Sequence, residues 1–219
     1  MALRILFIGN SFTFANDMPQ QLADLATAAG GRGSMEFALM APPGETLQGH
    51  WNTPSTRKAI RVGPWDYVVL QEQSTRPFED PDAFIRYAVL LGRAVREAGT
   101  EPLLFLTWAR RDQPNNQAQI TVAYRRAAQE IPAIIVPVGL AWQDALKAIP
   151  STGLYEPDGS HPNPSGSYLA ACVFFAALLS KSPEGGPNNY GLADADARAL
   201  QRIAWKTVID ERTAKDSTP

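Results

Sequence analysis

This chain of 219 residues contains only two histidines, and one of them, His161, follows Asp158 by three residues in the turn-rich stretch Pro150 to Pro162. Near the start of the chain, the apolar run Leu3 to Ile8 stops abruptly in Gly9-Asn10-Ser11. A hydroxyl, an imidazole and a carboxylate are the groups that acyl transfer to serine requires. The hydroxyl needs a base, and imidazole is the usual one near neutral pH. The base needs an orienter that fixes its tautomer and stabilises the imidazolium, which a carboxylate does. A tetrahedral oxyanion needs donors aimed in advance, from backbone N–H groups and a side-chain amide. Gly44, in Pro42-Pro43-Gly44-Glu45-Thr46, and Gln73, in Gln71-Glu72-Gln73-Ser74, are residues of those types. Each residue also has a plain structural reading. Ser is a favoured helix N-cap, Asp158 suits a turn, His161 is a residue before proline, Gln73 a polar strand end, and Gly44 a turn glycine with positive φ.

These residues meet only if the elements between them bring them to one place. Leu3–Ile8 is short and uninterrupted, as a strand buried on both faces would be. Further strands are expected at 35–41, 67–70, 103–106 and 133–138. Between them run helical stripes. Met18, Leu22, Leu25 and Ala29 follow cap residues Asn16-Asp17 and stop at Gly30-Gly31. Phe84, Ala88, Leu91, Val95 and Ala98 follow Asp80-Pro81, and Ile120, Ala123, Ala127 and Ile131 end at Pro132. Residues 47–61 read as one or two short helices or a structured loop, and 140–149 as another short helix. Asn163-Pro164 caps a strongly apolar helix through Leu179, and Asp194 opens a last helix whose tail frays from about residue 213. Strands alternating with helices imply parallel βαβ units. The expected product is an α/β fold with a five-stranded parallel sheet in the order 2-1-3-4-5. In such a sheet ligands bind beyond the carboxyl ends of the strands, where Ser11, Gly44 and Gln73 fall.

Length and composition are those of one domain spanning 1–219 with a full core: 45% of residues are hydrophobic. A net charge of −2 gives no reason to expect nucleic acid or an anionic membrane as partner. Cys172 is the only cysteine, so neither an intrachain disulfide nor a cysteine metal cluster is expected. No metal or other cofactor is called for, and the expected partner is a small-molecule ester. No leader pattern or membrane-length apolar run is visible, so a cytoplasmic location is expected.

Gly9-Asn10-Ser11, Gly44, Gln73 and Asp158-Gly159-Ser160-His161 resemble the four sequence blocks of the GDSL/SGNH hydrolase superfamily, over residues 3 to about 180. The resemblance implies a three-layer α/β/α flavodoxin-like fold. It implies Ser11 as nucleophile, Asp158 and His161 as its triad partners, and an oxyanion hole from Ser11, Gly44 and the third-block residue. The third block departs from the pattern. The family usually has Gly-x-Asn-Asp, and here Gln73 stands at the asparagine position with the same amide on a side chain one methylene longer. The pattern is similar to a bacterial branch of the superfamily.

Asn10, Phe12, His50, Trp51, Gln71 and Trp108 are candidates to line a substrate pocket, although packing in the core is the plainer role for the aromatic residues. Gln71 and Glu72 are placed to tune the third-block loop. Arg76, Arg110 and Arg111 stand in loops on the same edge, able to bind a substrate anion or simply to be solvated. The expected activity is hydrolysis of an ester of a small acyl group such as acetyl, on a carbohydrate or other small molecule, through an acyl-enzyme. The same groups could pass the acyl chain to an alcohol, and a non-catalytic binding module on the same fold is the alternative from another class. Against phosphate binding, the loop from Gly9 to Asp17 has one glycine, no lysine and two phenylalanines.

Overall fold

The computed structural model of the protein describes residues 2–30, 35–188 and 190–216. Strands β1 (Leu3–Ile8), β2 (Met35–Met40), β3 (Tyr67–Leu70), β4 (Glu101–Phe105) and β5 (Ile134–Val136) form one sheet in the order β2-β1-β3-β4-β5. Every pairing is parallel. Side chains alternate across a strand, so Ile5 and Phe7 enter the core on one face of the sheet while Leu6 and Ile8 enter the core on the other. That two-sided burial is why β1 reads as an unbroken apolar run. β5 is shorter than expected. Pro137 has no N–H to give to a ladder, and a helix begins directly at Val138.

The helices are α1 (Ser11–Phe14), α2 (Met18–Ala28), α3 (Leu47–Asn52), α4 (Pro54–Val62), α5 (Arg76–Glu79) and α6 (Pro81–Glu97). They continue with α7 (Asn116–Glu130), α8 (Val138–Ala148), α9 (Pro164–Leu179) and α10 (Asp194–Asp216). α2, α8, α9 and α10 cover one face of the sheet, and α4, α6 and α7 the other, which makes three layers. α9 is buried all round from Gly166 to Ala177 because α2, α8 and α10 enclose it against the sheet. Each large apolar side chain so buried contributes roughly 1.5–3 kcal/mol. Among the described residues, no helix is long and apolar enough to cross a membrane.

Two of the three expected caps form. The Asp80 carboxylate accepts the Ala83 N–H and the Asn163 amide oxygen accepts the Gly166 N–H. Asp17 instead sits in the left-handed region at φ 54° and makes no side-chain cap. Asn16-Asp17 is a turn between α1 and α2, and the Asn16 side chain donates to Pro162 O and Ser167 Oγ. Of the expected stop Gly30-Gly31, Gly31 lies outside the described residues. α10 runs on to Asp216, past the expected fraying point; residues 217–219 lie outside the described residues.

The register aligns Met40, Ile8 and Leu70 across three strands and Leu70 with Leu104. The segments that follow these residues therefore leave the sheet along one edge, carrying Ser11, Gly44, Gln73 and Arg110.

Candidate active site

Ser11 opens α1 directly after the β1 exit, and its Oγ lies 2.9 Å from His161 Nε2. His161 Nδ1 lies 2.5 Å from Asp158 Oδ2. The hydrogen bond from the imidazole, helped by the Ser160 N–H, holds the Asp158 carboxyl down at about 2. It is therefore an acceptor at neutral pH, and Nδ1 must carry the proton. In the neutral ring Nε2 is then a lone pair, to which the Ser11 hydroxyl donates. Asp158 Oδ1 also accepts the Ser160 and His161 N–H groups, so the carboxylate shapes its own turn while it orients the ring.

The turn that carries Ser11 is braced from beneath. Gln71 is fully buried, and its Oε1 accepts the Asn10 N–H at 2.8 Å and the Thr13 hydroxyl at 2.9 Å. The Gln71 side chain crosses the space where a Cβ on Gly9 would be, which would stand 2.5 Å from Gln71 Oε1 and from Thr13 Oγ1. Close approach is thus the reason for glycine at that position. His50 Nε2 lies 2.7 Å from the Gly9 carbonyl, which can only accept, so His50 carries its proton on Nε2. Burial lowers its pKa and keeps it neutral. The Asn10 Oδ1 caps the Phe12 N–H, and its Nδ2 donates to Glu45 O, tying the turn to the loop that carries Gly44.

Two backbone donors at the site face no internal acceptor, and a third donor is only weakly engaged. Among the described residues, neither the Ser11 N–H nor the Gly44 N–H takes part in a hydrogen bond. Gly44 has φ +70° and open space where a Cβ would be, so the conformation, not crowding, calls for glycine there. The third donor is the Gln73 amide. Its Oε1 accepts from Thr75 N, Thr75 Oγ1 and Arg76 N at 2.9–3.1 Å, which anchors the oxygen at the start of α5 and fixes which end is nitrogen. Nε2 is left with one long contact, 3.4 Å to Ser74 Oγ. Beneath this loop, Glu72 Oε1 accepts the Gln73 N–H at 2.7 Å and the Leu47 N–H at 3.2 Å, joining the third-block loop to the segment after Gly44. Burial raises the Glu72 carboxyl to about 7, against the pull of those two N–H groups and of Arg76, with Glu45 adding to the rise.

The loop bearing Asp158 and His161 is pinned by residues outside it. Trp108 is sandwiched between Phe12 and Trp142, with ring centroids at 4.6 and 3.9 Å and planes nearly parallel, and its Nε1 donates to Ser160 O. Phe12 in turn sets its ring against the His161 imidazole at 5.5 Å. Asn16 Nδ2 donates to Pro162 O and to Ser167 Oγ, and Ser167 Oγ donates to Ala15 O. Sequence reading missed Asn16, Ser167 and Thr13 as site supports. In the sequence Asn16 looks like a helix cap; the left-handed φ of 52° that gives it another role is seen only in the fold.

The structure corrects the pocket candidates. Asn10, Phe12, His50, Gln71 and Trp108 are all buried, and their polar atoms are spent on the backbone and side chains just named. They hold the site from behind rather than line an open pocket. Trp51 is half-buried and packs on the core of the opposite face, with the Arg57 guanidinium 5.6 Å over its ring.

No protein-family model and no curated protein matches the chain; solved structures do. A candidate SGNH hydrolase from Slackia heliotrinireducens is 32% identical, with a TM-score of 0.72 over 81% of this chain and 100% of its own. A DUF4886 family protein from Bacteroides uniformis is 22% identical, with a TM-score of 0.77 over 95% of each chain. An acetyl xylan esterase from Geobacillus stearothermophilus shares the fold at 15% identity, with a TM-score of 0.62 over 81% of this chain and 93% of its own. With the fold, the strand order and the first of these likenesses in agreement, the chain belongs to the SGNH/GDSL superfamily of serine hydrolases.

Proposed function

We propose that the protein hydrolyses a small ester through an acyl-enzyme on Ser11. His161 Nε2 takes the Ser11 proton as Oγ attacks the ester carbonyl, and Asp158 stabilises the imidazolium that results. The Ser11 N–H, the Gly44 N–H and Gln73 Nε2 receive the oxyanion; each such donor is worth on the order of 10²–10³ in rate. Collapse of the tetrahedral intermediate breaks the bond to the alcohol, which leaves with the proton from His161. Water, deprotonated by the same ring, then releases the acid.

The observation that carries this reading is the unbroken line Asp158 Oδ2, His161 Nδ1, His161 Nε2, Ser11 Oγ, at 2.5 and 2.9 Å. The His161 and Asp158 side chains are 43% and 49% exposed, so water reaches the base freely, which favours hydrolysis over transfer to a second alcohol. An acetyl group on a carbohydrate is the substrate we favour, supported by the shared fold with an acetyl xylan esterase.

Hydrolysis of p-nitrophenyl esters from acetate to octanoate tests the proposal. Wild type is expected to turn over, acetate best, with Ser11→Ala and His161→Ala each slower by roughly 10⁴–10⁶-fold while staying folded. A Ser11→Ala protein that kept its rate would refute it.

A further inference from the structure

The three arginines on the site edge are in different states. Arg111 is committed to the Asp158–His161 loop: its N–H donates to Gly159 O at 2.9 Å, its guanidinium donates to Glu156 O and lies 5.5 Å over the Tyr155 ring. Arg76 donates to Gln48 Oε1 at 2.6 Å and faces Asp80 at 3.7 Å. Arg110 is half-buried, and among the described residues no carboxylate lies within 4.0 Å of it. Among the described residues, its one side-chain hydrogen bond runs from Nη2 to Ser74 Oγ at 3.2 Å, and its buried Nε has no partner.

Ser74 Oγ is the same atom that Gln73 Nε2 approaches at 3.4 Å. The Arg110 guanidinium and the Gln73 amide are thus neighbours across one hydroxyl. From the other side, the backbone next to Arg110 is bonded to Gly159, two residues before His161. The Arg110 side chain thus touches the third-block loop, while the backbone that follows it is tied to the loop that carries His161. A partly desolvated cation with no counter-ion costs stability, and an anion arriving with the substrate would offset that cost.

We propose that Arg110 binds a carboxylate on the alcohol portion of the ester, so that the substrate class is a small acyl ester of an acidic alcohol such as an acidic sugar. The proposal rests on the hydrolase reading. An acetyl group has no room for a charge, and the leaving alcohol must reach His161 for its proton, on the side of the loop that the Arg110–Arg111 segment holds. A guanidinium offers a carboxylate two parallel N–H donors in the plane it prefers.

The test separates binding from turnover. The Ser11→Ala protein is titrated calorimetrically with 4-acetoxybenzoate and with the neutral 4-acetoxybenzamide. The anionic ester is expected to bind about tenfold or more tightly, as a charged hydrogen bond implies. That preference should vanish in Ser11→Ala/Arg110→Gln and return in part in Ser11→Ala/Arg110→Lys. Equal dissociation constants, a preference that survives Arg110→Gln, or no measurable binding of either ester would overturn the proposal. Turnover of p-nitrophenyl acetate by wild type reports on the hydrolase reading separately, so the two cannot fail unnoticed together.

Discussion

Gln71 Oε1 accepts the Asn10 N–H at 2.8 Å while the Gln71 backbone N–H donates to Ile8 O at 2.9 Å, so one residue after β3 grips the turn that carries Ser11 from two sides. The grip predicts that Gln71→Ala costs stability as well as activity, because it leaves a buried N–H and a buried hydroxyl without their acceptor. About 1–3 kcal/mol is expected for each group left unpaired. Urea unfolding reads the first effect and kcat on a p-nitrophenyl ester the second. Gly9→Ala is expected to act on the same contact from the other side, since its Cβ would strike Gln71 Oε1.

Glu72 makes a prediction with a sign. Its carboxyl, ordinarily near 4.5, is raised by burial to about 7, so the folded state holds this proton more tightly than the unfolded state. Stability from this group is fully present below 4.5 and is lost as pH rises through 7. The loss amounts to on the order of 3 kcal/mol. Glu72→Gln keeps an oxygen for the Gln73 and Leu47 N–H groups but cannot ionise. Urea unfolding at about pH 5 and about pH 8 should show wild type losing stability relative to Glu72→Gln; parallel curves would contradict the assignment.

Ser11, Asp158 and His161, which the structure brings within hydrogen-bond distance of one another, were picked out in the sequence together with Gly44 and Gln73, because acyl transfer to serine would need those residue types after particular strand ends. The sheet order was expected from strands alternating with helices and from the flavodoxin-like pattern the resemblance implies, and the structure has that order, with β1, β3 and β4 inside the sheet. The supports were not legible. His50 and Trp108 look like pocket residues until the fold shows the Gly9 carbonyl beside one and the Ser160 carbonyl beside the other. Asn16 reaches Pro162 across 146 positions of sequence, a contact that no local pattern announces. The difference between Gln71, a buried brace, and Gln73, two residues on, whose amide nitrogen makes only one long contact, is likewise set by tertiary contacts.

Gln73→Ala is expected to lower kcat on the order of 10²–10³-fold with little change in KM, the mark of an interaction made mainly in the transition state. The Gln73 oxygen also caps α5 through Thr75 and Arg76, so the variant should lose about 1 kcal/mol of stability too. Gln73→Glu keeps the cap and removes the donor. It should match Gln73→Ala in rate and exceed it in stability.

Asp158 is held at about 2, so its ionisation contributes no limb to the pH–rate profile above about pH 3. The stability that its lowered pKa contributes is present above its ordinary 3.8 and is lost as pH falls through about 2. Asp158→Asn should lower kcat by up to roughly 10⁴-fold, since an amide cannot stabilise the imidazolium and can hold the wrong tautomer.

The most direct test is covalent. Wild type treated with diethyl p-nitrophenyl phosphate should gain one diethylphosphoryl group, and peptide mapping should place it on Ser11. Ser11→Ala should gain none, and His161→Ala should react far more slowly. A label on any other residue, or equal labelling of Ser11→Ala, would contradict the assignment of Ser11 as the nucleophile.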